Sequence, residues 1–123
     1  MRILVVDNDP AELLLTTIAL RDVGGFDVIL AQKGMEAVES AKKELPDAIL
    51  IDFVLEDIDG PEVFEKLQNA KETRGIPVIF HTARSDPSDV SFLMALGAKG
   101  VIAKPFDPMQ LAKEVRRILK TAG

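Results

Sequence analysis

Apolar residues along this chain follow two rhythms. Five short stretches are apolar on nearly consecutive residues: ILVV (3–6), DVILA (27–31), AILID (48–52), PVIFHT (77–82) and GVIAK (100–104). Between them apolar residues recur at helical spacing: Val38, Ala41 and Leu45; Val63, Phe64, Leu67 and Ala70; Val90, Leu93, Met94 and Gly97; Leu111, Val115 and Ile118. The first rhythm predicts strands and the second predicts amphipathic helices, so the chain reads as β-α repeated five times. A strand that is apolar on every residue suits burial on both faces. The sheet is therefore expected to be parallel, with helices on each side. Right-handed crossovers leave few topologies, and the leading one is a doubly wound sheet in a three-layer αβα sandwich.

Polar punctuation agrees with this order. Asp9-Pro10-Ala11-Glu12 has the form of a helix start, with Asp9 as N-cap, Pro10 at the first helical position and Glu12 placed for a capping box. Gly24-Gly25 is expected to end that helix, and Asp59-Gly60-Pro61, Asp86-Pro87 and Asp107-Pro108 to introduce later ones. No linker or low-complexity tract interrupts the alternation, so residues 1–123 read as one domain. A domain of this length buries roughly two thirds of the surface its unfolded chain exposes, enough for a core without staples.

Composition narrows the classes. The absence of cysteine excludes a disulfide framework and a thiolate metal site, and fits a reducing compartment, with cytoplasm as the expected location. No apolar run approaches the ~20 residues needed to span a bilayer, and neither a signal peptide nor a membrane anchor is read. A formal net charge of −5, without an aromatic-and-basic stripe, argues against nucleic acid as a direct partner.

Candidate chemistry gathers where the strands end. In an open parallel sheet, ligands bind outside the carboxyl ends of the strands. Those ends carry Asp7, Asn8 and Asp9 from the first strand, Asp52 from the third, Thr82 from the fourth and Lys104 from the fifth. Two carboxylates from different strands repel unless a cation joins them, and an all-oxygen set suits a hard ion such as Mg2+. With an ammonium and a hydroxyl added, the group is equipped to accept a phosphoryl group, whose transfer depends on positioning and charge neutralisation. Asp9 is explained by capping alone. His81, the sole histidine, lies inside a strand with no orienting acid at defined spacing, so it reads as a packed histidine and not as a base for Ser85 or Ser88. Lys113, Arg116, Arg117 and Lys120 read as the solvated face of the last helix, with docking of a partner or a second copy as the alternative.

These segments, in this order and spacing, resemble the response-regulator receiver domains of two-component signalling over nearly the whole chain. The carriers are ILVVDND, ILID followed by Asp59-Gly60, the Thr82-Ala83 pair and Lys104-Pro105-Phe106. The resemblance implies a flavodoxin-like fold with strand order 2-1-3-4-5. It implies Asp52 as phosphoacceptor, charged by a histidine kinase, a phosphotransfer partner or a small phosphodonor. Mg2+ would be held by Asp7, Asn8, Asp52 and the backbone carbonyl of Val54. Lys104 would pair with the phosphoryl group, and Thr82 would move toward it. A cis Lys104-Pro105 peptide belongs to the same pattern, and Val54 and Arg84 would border the path of an attacking water. The domain would be a switch with at most self-phosphorylation and self-dephosphorylation, read by a downstream effector protein, with a homodimer left open. Because the sequence stops soon after the fifth helical stretch, output is expected through protein contacts, unless this is a fragment of a longer regulator or hybrid kinase.

Three positions depart from the family pattern: Asn8 stands where a second acid is usual, Val101 where an aromatic residue commonly swings with the threonine, and Glu56 where proline is common. Two other readings compete. ILVVDND also resembles the D-x-D opening of haloacid-dehalogenase phosphatases, with Asp7 as nucleophile, Asp9 as acid, Thr82 as phosphate donor and Lys104 as stabiliser. That family needs a further acidic pair after the lysine, for which only Asp107 and Glu114 are present, and Asp52 would have no task. A receiver-like binding module that is never phosphorylated draws its support from Asn8.

Overall fold

All five apolar runs are strands in the computed structural model, which describes residues 1–121; Ala122 and Gly123 lie outside the described residues. The order is β1 (Arg2–Val6), α1 (Pro10–Thr17), a π-helical continuation (Ile18–Val23), β2 (Asp27–Ala31), α2 (Gly34–Glu44), β3 (Ala48–Ile51), α3 (Gly60–Asn69), β4 (Val78–Thr82), α4 (Pro87–Leu96), β5 (Gly100–Ala103) and α5 (Leu111–Lys120). The strands pair in parallel in the order β2-β1-β3-β4-β5.

Successive strand residues point to opposite faces, so one sheet feeds two cores. Leu4, Val6, Ile49, Ile51, Val78 and Phe80 pack under α2, α3 and α4 with Val38, Val63, Phe64, Leu67 and Leu93. Ile3, Val5, Leu50, Ile79 and Ile102 pack on the other face with Leu13 and Leu20 of the first helix and Leu111, Val115 and Ile118 of α5. Fully burying a side chain of this size contributes about 1.5–3 kcal/mol, and both layers of helices are held this way.

Expectations about burial and helix ends fail in four places. β2 is apolar in sequence but is an edge strand, and Leu30 stands in solvent, because only β1 pairs with it. Leu45 is not on the apolar face of α2; it is the exposed C-cap, in the left-handed region at φ 45°, a place usually given to glycine or asparagine. In α4 only Leu93 is buried, while Met94 is exposed and Gly97 caps the helix at φ 115°. Asp107-Pro108 does not open α5. The Asp107 carboxylate accepts from the Met109 N–H and its carbonyl from Gln110 and Leu111, so a turn comes first and the helix begins at Leu111.

Candidate functional site

The sheet's ladder extends one residue past three strands and so aligns the charged positions. The Asp7 N–H donates to the Ala31 carbonyl (3.1 Å), Asp52 N–H to Val6 (3.0 Å) and Lys104 N–H to Thr82 (3.0 Å). Burial demands apolar residues up to that point, and the first polar side chain of each run then projects over the sheet's carboxyl edge. Lys104 Nζ donates to Asp7 Oδ2 at 2.6 Å and to Asp52 Oδ2 at 3.1 Å. The three side chains are only 10%, 6% and 17% exposed, for Lys104, Asp7 and Asp52. Burial pulls the Lys104 pKa down, but the hydrogen bond to Asp7 and the charges of Asp52 and Asp7 outweigh it, so the ammonium is held above its ordinary 10.5. Two carboxylates against one ammonium leave the cluster net negative, which favours a further cation.

The start of α1 is built around this cluster. Asp9 caps the helix as expected, accepting from the N–H groups of Ala11 and Glu12. The capping box is not closed. The Asp9 N–H, which Glu12 would accept in such a box, donates instead to Asp7 Oδ1 at 3.0 Å, and Glu12 Oε2 lies 3.8 Å from Lys104 Nζ. Asn8, half-buried between Asp7 and Asp9, stands outside every hydrogen bond of the cluster.

The loop after β3 is pinned at two points. Gly60 N–H donates to the Phe53 carbonyl at 2.7 Å, and a Cβ at Gly60 would come within 2.4 Å of the Asp52 carbonyl oxygen, so the glycine after Asp59 is a steric requirement of the loop that follows Asp52. Asp57 accepts from Gly34 N–H (2.8 Å) and Met35 N–H (3.0 Å), capping α2 from another loop. The Met35 bond leads the effects that hold the Asp57 carboxyl at about 2. Val54, between these pins, turns its side chain to solvent. The sequence reading missed Asp57, although Lys33, a poor N-cap residue, was a sign that α2 takes its acceptor from elsewhere.

Thr82 is buried, and its Oγ1 accepts the Arg84 N–H at 3.0 Å. The Arg84 guanidinium lies over the Phe53 ring, 4.0 Å from its centroid, and pairs with Asp89 of α4 at 3.3 Å. Phe53 in turn meets Phe92 of α4 with centroids 6.2 Å apart. The residue after Asp52 and the second residue after Thr82 are thus joined to α4, a connection no local pattern announced. Val101 is half-buried and aliphatic.

The remaining candidates lie elsewhere. His81 is buried edge-on to Phe106 at 4.8 Å, and its Nε2 has no hydrogen-bond partner among the described residues. Burial, helped by the Lys104 charge and opposed by Asp52, brings its pKa down to about 4, so it is a packed neutral histidine. Ser88 Oγ donates to Asp86. Asp107 is committed to its turn and Glu114 to Arg117, so neither supplies the acidic pair a dehalogenase-type phosphatase needs. The Lys104-Pro105 peptide is cis. Among the described residues no three His, Cys, Asp or Glu side chains converge as a metal cage. Two convergent carboxylates with a net negative charge, and Asn8 and Val54 adjacent on the same loops, nevertheless fit an ion such as Mg2+, which keeps several waters and needs only one or two carboxylates.

Residues 3–116 match the family model of the response regulator receiver domain. The chain belongs to that family, whose members are receiver domains of two-component systems that signal by phosphorylation and interact with histidine kinases and effectors. It is 35% identical over 119 residues to the DNA-binding response regulator MtrA of Mycolicibacterium smegmatis, covering 97% of this chain but 50% of MtrA. The chain therefore spans about half the length of that relative. It is 33% identical to the protein PilH of Pseudomonas aeruginosa, over 96% of this chain and 97% of PilH. Among solved structures it superposes, with TM-score 0.86, 29% identity and 98% coverage of both chains, on the receiver domain of the sensor histidine kinase PA1611 of Pseudomonas aeruginosa PAO1, described with a magnesium ion coordinated in the active site cleft. No helix among the described residues is long and apolar enough to cross a membrane.

Proposed function

We propose that residues 1–123 form one cytoplasmic phosphorelay switch that accepts a phosphoryl group on Asp52 from a histidine kinase or phosphotransfer protein. The observation that carries this reading is the Lys104 ammonium, hydrogen-bonded to both Asp7 and Asp52 at the carboxyl edge of the sheet. An Asp52 carboxylate oxygen attacks phosphorus; the new O–P bond forms as the donor's P–N bond breaks, and the donor imidazole leaves. Asp7, Asn8, Asp52 and the Val54 carbonyl are the residues to hold Mg2+, which when bound neutralises the charge on the transferring oxygens. Lys104 already holds Asp7 and has protons to donate to the new phosphoryl oxygens.

Thr82 accepts from Arg84 through a lone pair, so its own O–H is left to donate to the phosphoryl group. A shift of Thr82 then pulls on Arg84 and, through Phe53 and Phe92, on α4. With Val101 in place of an aromatic residue, this is the path by which we expect an effector to sense phosphorylation. Incubation with acetyl phosphate and Mg2+, followed by intact mass, tests the assignment. Wild type is expected to gain one phosphoryl group and Asp52→Asn none; equal labelling of the variant overturns it.

A further inference from the structure

The outer side of α4 is unusually apolar. Leu93 alone is buried, whereas Phe92, at 49% exposure, Met94 and Leu96 face outward. A helix that is apolar nearly all round is normally covered on more than one side, and apolar patches rimmed by polar groups mark interaction sites. Phe92 and Leu96, one turn apart, form one wall of a groove of about 410 Å3; Phe64 of α3 lies at its floor, and Asp59, Glu62 and Glu65 rim the α3 side. None of the residues lining the groove is basic, and α4 carries no lysine or arginine. Asp59 is engaged in capping α3, while Glu62 and Glu65 enter no ion pair among the described residues.

We infer that the α3–α4 groove docks a basic amphipathic segment of a partner protein, an apolar side chain seated against Phe92, Leu96 and Phe64 and flanking Lys or Arg paired with Glu62 and Glu65. The charge of the rim selects this occupant. Among the described residues, neither α5 nor the first helix of a second copy combines a free basic rim with an exposed apolar stripe. The basic side of α5 has its Leu111, Val115 and Ile118 buried, Arg116 stacked on Phe26 and Arg117 paired with Glu114. The exposed Leu14, Leu15 and Ile18 of the first helix stand between Glu12 and an Arg21 that pairs with Asp22. Helix-in-groove recognition of this kind takes its anchors at i and i+4 and its selectivity from the flanking charges. The inference does not depend on phosphorylation of Asp52.

The test uses the unphosphorylated protein and a fluorescein-labelled synthetic helical peptide with Leu and Phe four residues apart, flanked by Lys and Arg, alongside a charge-reversed copy bearing Glu. Anisotropy at physiological salt should show saturable binding of the basic peptide, none of the acidic one, and at least tenfold weakening by Phe92→Ser and by the pair Glu62→Lys and Glu65→Lys. All three sites are solvent-exposed, so these variants are expected to fold, and circular dichroism checks that. Amide shifts on adding peptide should fall on α3 and α4. The inference is overturned if the basic peptide fails to bind, if the variants bind it equally, or if the shifts centre on Asp7 and Asp52. Self-association of wild type that Phe92→Ser abolishes would make the occupant a second copy and overturn it too.

Discussion

Each end of the sheet has a basic residue that binds two carboxylates, through side chain and backbone at one end and through the ammonium alone at the other. At the amino end the Arg2 side chain pairs with Glu44 at 2.8 Å while its backbone N–H donates to Asp47 at 2.8 Å, and the Arg2 and Glu44 side chains are 42% and 37% exposed. At the carboxyl end Lys104 joins Asp7 and Asp52 out of most solvent contact. The chemistry is similar, but the energetics are not. An exposed pair trades one set of good solvent contacts for another and is worth about 0–1 kcal/mol. Removing the cation from a buried pair strands the carboxylates in a medium that solvates them poorly, at a cost of several kcal/mol. The amino-end pair is thus a clasp between Arg2 and α2, whereas the carboxyl-end group is held together by one largely buried ammonium.

Lys104→Ala should break this contrast most. Without metal it is expected to lose about 2 kcal/mol or more of unfolding free energy in urea titrations, and Mg2+ should restore much of the loss; a loss no greater than that of Arg2→Ala refutes the distinction. Acid should act at the same end next. His81 stays neutral when folded down to about 4, whereas the unfolded chain protonates it near 6.5. Between those values the unfolded state binds more protons, so stability should fall as pH drops from about 6.5, with a slope approaching about 1.4 kcal/mol per pH unit. Urea titrations at pH 6.5 and 5 should show a smaller difference in His81→Gln; an unchanged difference would show that other groups carry the dependence.

Asn8→Asp sharpens the charge balance of the carboxyl end. A third carboxylate should tighten Mg2+ binding by about tenfold, equivalent to about 1.4 kcal/mol, and lower the metal-free melting temperature through repulsion. Calorimetric Mg2+ titrations and thermal melts of both proteins check the two halves; if neither changes, Asn8 does not face the ion. The smallest effect belongs to Arg2→Ala, expected within about 1 kcal/mol and shrinking as salt screens the pair. A larger, salt-independent loss would mean that the clasp is structural.

Much of this was legible before any coordinates. The consecutive apolar runs located the five strands, because a strand lying between two layers of helices needs no polar alternation. Asp7, Asp52 and Lys104 stood out because each ends such a run with a charge that burial alone does not call for. The tertiary structure decided the partners. That β2 lies at an edge, and so leaves Leu30 in water, depends on strand order and not on the composition of DVILA. That Glu12 lies 3.8 Å from the Lys104 ammonium depends on a lysine far along the chain. That α2 is capped by Asp57, and that Arg84, Phe53 and Phe92 stack toward α4, likewise joins residues from separate loops. Apolar spacing records how much burial each residue needs, whereas a hydrogen bond or ring contact requires two groups within a few ångströms, and for residues distant in sequence only the folded chain sets that separation.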